Sequence, residues 1–462
     1  MNTQSLRTVL IFAHECAPYN VPTSTIGAQR VAQFAKHLPT FGWRAIVICC
    51  DAGKRGAGFL DEDASRIEQS LREANADESL IIPTPSLPWD GLLDRWWRAS
   101  MRGSSRASQR LLWRKPLTAF KQLTYGDYSS AWQACARRAA EIVTRFVRVD
   151  ACIGEHTPDA GVLLARWFSD WTGVPWVADF RDPVLRPFPP TLRLLYLPRI
   201  RSVLSTAAHV VNVNDHLAAL DQEMLGRPAS SIPNGFDPDE FAHGEIRPRA
   251  ADFTIAYCGN LNPDIQTIGP FLDGLRIVAA KLSNDCSRGV RFVYRGKSAA
   301  YVRDMASRAG VGAMVDADVH IPRDQALRIL QSADALLLLS ITGAVQQDKY
   351  FMHGLYPAKT FEYFGAKRPI LCIPSDAGML DELIRDTRTG VVLADPADIA
   401  DYLLGLHRRW QEGGAATYDP NEELVGRFTR RQLTRTLAML LDSLVPVRHF
   451  STLVPNGTAA LR

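Results

Sequence analysis

Apolar residues in this chain of 462 residues come in short continuous runs, each followed by a stretch of helical periodicity. The first run, RTVLIFA at 7–13, has no polar alternation, which predicts a strand buried on both faces, as in a parallel sheet. A polar loop, HECAPYNVPTSTIG, leads to a helix over about 28–38, and 44–50 gives a second strand. After residue 128 the pattern resumes with helices over 131–147 and 161–171. Strands follow at 150–153, 175–180 and 209–213, and Asn214 is placed to cap the next helix. Ligands in such sheets bind beyond the carboxyl ends of the strands. That places His14, Thr23, Ser24, Thr25 and Gly27 at a cleft.

The second half repeats the alternation. Strands are expected at 253–258, 290–294, 335–340, 369–373 and 391–393, with helices near 268–281, 298–309, 323–331, 358–365, 378–385 and 396–409. Strands and helices alternating at this spacing predict an α/β protein of two doubly wound, Rossmann-like domains. The first covers 1–242, a polar linker 243–252 follows, and the second covers 253–410. A last amphipathic helix over about 422–444 lies within a C-terminal segment 411–446, and 447–462 reads as a tail.

One stretch concentrates charge and aromatic residues. YPAKTFEYFGAKRPILCIP (356–374) predicts a short helix that breaks at Gly365 before an apolar strand, with Pro357 in the first turn. Lys359 and Glu362, three residues apart, share one helical face. The free N–H groups of such a turn favour a phosphate, and Glu362 is able to accept two ribose hydroxyls. The plainer reading is a surface ion pair.

Composition narrows the class. Hydrophobic content of 46%, charged content of 22% and a net charge of +4 are ordinary for a globular protein and give no field that points to nucleic acid. The eight cysteines are scattered without a C-x-x-C, which fits a reducing cytosol and neither a disulfide framework nor a metal site. No run approaches a membrane span, so the expected location is cytoplasmic. The dinucleotide fingerprint is absent from the first loop, and GKRGAG at 53–58 follows the wrong strand.

Residues 83–121 stand apart as an insertion. From Arg95 to Lys121 there are eight basic residues and no acidic one. Arg98, Arg102, Arg106 and Arg110 recur along one side of a helix, with Trp97 and Trp113 in the same stretch. This stripe suits an anionic membrane surface, at about 1 kcal/mol per basic residue near it, and so a peripheral position on the inner face. The alternative is a solvated helix packed by its tryptophans.

Four motifs in order resemble nucleotide-sugar-dependent glycosyltransferases of the GT-B fold, family 4. IPNGFDPDEF (232–241) resembles the loop that closes the first domain, and VADFRDPV (177–184) the D-F-R-D-P-W signature of one branch, with Val184 in place of Trp. IAYCGNL (255–261) is similar to the opening of the second domain, and PAKTFEYFGAKRPIL to the segment that holds the donor nucleotide. The resemblance spans about residues 7–410.

It implies a retaining glycosyltransferase with no cofactor, moving a sugar from a nucleotide sugar to a glycan or lipid-linked acceptor in polysaccharide or glycoconjugate biosynthesis. By the resemblance, the first domain lies on the acceptor side, Glu362 binds the donor ribose, and Lys359 lies by the phosphates. Thr25 and Gly27 approach the pyrophosphate, Glu155 and His156 the transferred sugar. Asp179, Arg181 and Asp182 lie on the same cleft face. Gly259 and Asn260 occupy the turn where many relatives carry an arginine and a lysine. Gly354 stands where many carry a first glutamate. Arg295 and Lys297 are the candidate replacement cations, with Lys349 and His353 after them. Two alternatives stay open: a catalytically silent nucleotide-sugar-binding homologue, and a nucleotide-sugar epimerase of the same fold.

Overall fold

The computed structural model describes residues 6–19, 26–88, 130–184, 190–242, 252–282, 289–319, 321–341, 355–413 and 418–446. The basic stripe 95–121, Thr25, Lys349, His353 and Gly354 lie outside them.

The first sheet has seven parallel strands: β1 (Arg7–Phe12), β2 (Trp43–Cys50), β3 (Leu80–Thr84), β4 (Ala151–His156), β5 (Trp176–Phe180), β6 (His209–Asn212) and β7 (Ala229–Ser231), in the order β3-β2-β1-β4-β5-β6-β7. Its helices are α1 (Ile26–His37), α2 (Asp61–Glu73), α3 (Ser130–Phe146), α4 (Ala160–Thr172), α5 (Pro190–Leu204), α6 (Asp215–Leu225) and the single turn α7 (Asp239–Ala242). The apolar runs are continuous because both faces are covered. Leu10, Phe12, Ile46 and Ile48 pack under α2, α3 and α4, while Val9, Ile11, Ala45 and Val47 face α1.

The second sheet has six parallel strands: β8 (Phe253–Cys258), β9 (Val290–Arg295), β10 (Val315–Asp318), β11 (Ala335–Leu339), β12 (Ile370–Ile373) and β13 (Gly390–Val392), in the order β10-β9-β8-β11-β12-β13. Around it lie α8 (Gly269–Leu282), α9 (Ala299–Arg308), α10 (Arg323–Ser332), α11 (Lys359–Ala366), α12 (Met379–Thr387) and α13 (Pro396–Gln411). Ile255, Tyr257, Leu337 and Leu339 face α8 and α13; Ala256, Cys258, Leu336 and Leu338 face α10, α11 and α12. In each sheet the order reverses beside the first strand, between β1 and β4 and between β8 and β11. That switch point opens a crevice at the strand ends.

The expected single terminal helix is two: α14 (Glu422–Gly426) and α15 (Arg430–Leu444). The break at 427–429 lets Thr429 bridge to Phe236, with Phe236 N donating to Phe428 O at 3.1 Å and Arg430 N to Phe236 O at 2.8 Å. α15 then returns to the first sheet, where Leu433, Leu437 and Leu441 pack with Ile11 and Val31. The chain therefore crosses between the domains twice, at adjacent points.

Two local expectations are corrected. Gly365 does not break the helix; α11 runs to Ala366 and the left-handed residue is Lys367, φ 54°. Gly365 is small for another reason, since a Cβ there would lie 2.2 Å from the ring of Phe241. Pro357 lies before the helix rather than in its first turn, which begins at Lys359.

Candidate functional site

The ends of β4 and β5 gather most of the first-domain candidates. Glu155 is fully buried, and Arg181 Nε contacts its carboxylate. Burial pushes the Glu155 carboxyl up to about 8 against the pull of Arg181. The Arg181 guanidinium also donates to the carbonyls of His156 and Thr157, and it fills the space that a side chain on Gly27 would need. A Cβ on Gly27 would fall 1.2 Å from Arg181 Nη1. Glycine at the start of α1 is thus what lets Arg181 lie against that helix terminus.

The neighbouring side chains are held firmly. His156 is buried, with Nε2 2.9 Å from Asp159 Oδ1, Nδ1 3.1 Å from Thr157 Oγ1, and its ring against Phe180. The exposed Asp182 accepts from Thr157 Oγ1 at 3.1 Å. Both oxygens of Asp179 are engaged by Arg30, at 2.8 and 2.9 Å, and Arg30 reaches on to Pro233 O in the loop leaving the first domain. Asp179 and Arg30 form a buried bidentate pair that pins α1 to β5. His14, expected at the cleft, is a core residue set edge-on to Trp132, and burial brings its imidazole down to about 3.

The second group lies at the switch point of the second sheet. Gly259 takes φ +132°, and a Cβ there would sit 2.4 Å from Lys359 Cε. Its carbonyl closes on Gly296, where a Cβ would come within 2.0 Å of it. The two glycines bring the β8 and β9 turns together and leave a slot for the Lys359 side chain. Lys359 Nζ lies 3.3 Å from Asn260 O and 4.9 Å from the centroid of the Tyr257 ring, and Tyr257 donates to the same carbonyl at 2.9 Å. Burial holds the Lys359 ammonium below the usual lysine range, opposed by Glu362. Lys359 makes no ion pair among the described residues, so a carbonyl and an aromatic face are its partners.

Glu362 does not pair with Lys359. Its Oε1 contacts Arg323 Nη1, and Arg323 holds Glu240 through Nη2 at 2.9 Å and Nε at 3.3 Å. Arg295 is engaged as well, by Asp316 on the neighbouring strand at 2.8 and 3.1 Å. Lys297 is exposed and without an ion pair among the described residues.

The motifs do not include Arg30 or Arg323, and they include Glu240 and Tyr257 without giving either a role. Arg323 had a signal: a cation at the first position of a helix opposes the helix dipole and needs a specific anion.

No family model matches this chain, and no curated protein matches it. Solved structures do. The chain is similar to a glycosyltransferase from Rickettsia africae ESF-5, at 13% identity and TM-score 0.54 over 96% of this chain and 99% of that one. It is similar to Anabaena HepE in complex with UDP and glucose, at 14% identity and TM-score 0.57 over 95% and 100%. It is also similar to sucrose-phosphate synthase from Thermosynechococcus elongatus, at 12% identity and TM-score 0.57 over 95% and 99%. Two parallel α/β sheets aligned over nearly the whole of each chain give this protein the GT-B fold.

Proposed function

We propose that this chain is a glycosyltransferase that binds a nucleoside-diphosphate sugar at the second-domain switch point and passes the sugar, with retention, to a glycan or lipid-linked acceptor. The observation that carries this is Lys359: a cation seated at the strand ends with a carbonyl and a ring for partners, one helical turn from the carboxylate of Glu362. A diphosphate supplies the anion that site lacks, and a ribose supplies the diol for Glu362. Lys297 is the second candidate cation, while the charge of Arg295 is already met by Asp316. The positive end of α11 adds to the stabilisation of the leaving phosphate. In the first domain, Arg181 and the exposed Asp182 are the polar groups offered to the sugar. HepE, similar in fold, was captured with UDP and glucose, which favours the donor class.

Calorimetric titration with UDP, ADP and GDP tests the donor reading. Lys359→Met and Glu362→Ala are each expected to weaken binding by one to two decades, as befits a charge-assisted hydrogen bond of about 1.5–3 kcal/mol. Unchanged affinity in both variants would remove the assignment. The engagement of both His156 nitrogens and both Asp179 oxygens favours a second reading, a donor-binding protein without turnover. Tight binding without hydrolysis or transfer across a donor panel would select it. The lipid-linked acceptor rests on the stripe of Arg98, Arg102, Arg106 and Arg110. It is dropped if changing those four to Ser leaves flotation with anionic vesicles unaltered.

A further inference from the structure

Glu362 reaches the ribose in that reading from a helix of eight residues, and its carboxylate is useful only if its orientation is fixed. Arg323 supplies the restraint. One edge of its guanidinium, Nε and Nη2, grips both oxygens of Glu240, and the remaining Nη1 contacts Glu362 Oε1. All three side chains are largely buried, at 23%, 26% and 13% exposure. Glu362 Oε2 receives no hydrogen bond from any described residue. One oxygen is anchored by Arg323, and the other is without a partner among the described residues.

Glu240 belongs to α7, in the segment that leaves the first sheet for the second. This segment is wedged against the nucleotide helices by two further contacts. Gln331 Nε2 of α10 donates to Phe241 O at 2.8 Å, and the Phe241 ring lies in the space left by Gly365 of α11.

We propose that Arg323 is a positioning residue of the nucleotide site. Anchored on Glu240 in the domain crossover, it presents Glu362 to the ribose hydroxyls of a nucleoside diphosphate. The inference rests on the donor reading above and adds a consequence to it: ribose recognition depends on how the crossover is seated. A planar fork that serves two carboxylates at once is a task for which lysine is no substitute.

The test compares each of UDP, ADP and GDP with its 2′-deoxy counterpart on the full chain by calorimetric titration, using whichever base binds. The wild-type chain is expected to prefer the ribonucleotide by about tenfold. Arg323→Gln should bring that preference to within about twofold, and Arg323→Gln with Glu362→Gln should be no worse than Glu362→Gln alone. Glu240→Gln keeps only one of the two arginine contacts, because its amide nitrogen cannot accept from the guanidinium, and is expected to reduce the preference about threefold even if Arg323→Gln does not fold. A retained preference in Arg323→Gln or Glu240→Gln, or full additivity in the double variant, overturns the positioning role and leaves the donor reading intact. Absence of binding of every nucleoside diphosphate by the wild-type chain overturns both.

Discussion

Among the described residues, three helices begin with a cation: Arg323 on α10, Lys359 on α11 and Arg430 on α15. Each opposes the helix dipole at about 0.3–1 kcal/mol, and each is met differently. Lys359 has a ring and a carbonyl, and Arg323 has two glutamates. Arg430 is 4% exposed and its Nη1 has no hydrogen-bond partner. Burial brings its guanidinium down to about 9, with Arg30 and Arg323 adding to the effect. Arg30 is equally deep but carries the bidentate bond to Asp179. The two arginines should therefore respond in opposite ways to removal of charge. Arg30→Met leaves Asp179 buried without its partner and is expected to cost about 3–5 kcal/mol. Arg430→Met removes a desolvated charge whose neighbours already hold their bonds from Arg323, so a change within about 1 kcal/mol, or a gain, is expected. Urea unfolding of both variants measures the contrast, and equal losses would contradict it.

At the scale of elements, the strands that the sequence made legible are the central ones and the edge strand β13; the central ones stand out because a strand covered on both faces needs an unbroken apolar run. β3, β7 and β10 were not legible, and all three are sheet edges. Pro83 argues against a strand, yet at an edge its missing N–H costs nothing. ASS and VDAD carry polar residues that only an edge tolerates. α2 escaped because only Ile67 and Leu71 mark its apolar face. Among the candidate site residues, the family resemblance named Gly259, Lys359 and Glu362, and the structure sets Lys359 against Gly259. The partners Arg323 and Glu240 come from elements 83 residues apart, a pairing no local pattern encodes. Packing of α6 on β6 carries a pH dependence of its own. Asp221 is buried with one hydrogen bond, from Asn212 at 2.6 Å, and burial raises its carboxyl to about 7. Its folded value lies above the ordinary one, so its contribution is complete below about 4 and is lost as pH rises through 7. Asp221→Asn keeps the shape and the acceptor. It should raise the unfolding temperature at pH 8, leave it unchanged at pH 4, and remove a loss of a few kcal/mol between them. A melting curve that tracks wild type at every pH would show that the carboxyl is not neutral in the fold.

The whole molecule consists of two sheets with separate cores joined where Phe236 meets Thr429, and α15 belongs by packing to the first sheet although it follows the second in sequence. The proposed donor site lies on the second sheet. Stability of the two halves should thus be separable by where a perturbation lands. Leu437 is 3% exposed in the cluster with Val9, Ile11 and Val31, and Leu437→Ala removes buried methyl groups at an expected cost of about 2–5 kcal/mol. That cost falls on the first domain. A nucleoside diphosphate bound at the proposed donor site at 100 times its Kd adds about 2.7 kcal/mol, and this is expected to fall on the second. Scanning calorimetry of the full chain is expected to resolve two transitions: Leu437→Ala lowers one, nucleotide raises the other, and neither moves both. A common shift under either perturbation would mean that the double crossing at Phe236 and Thr429 couples the domains into one cooperative unit. In that case the ribose recognition proposed for Glu362, Arg323 and Glu240 would report on the fold of the entire chain.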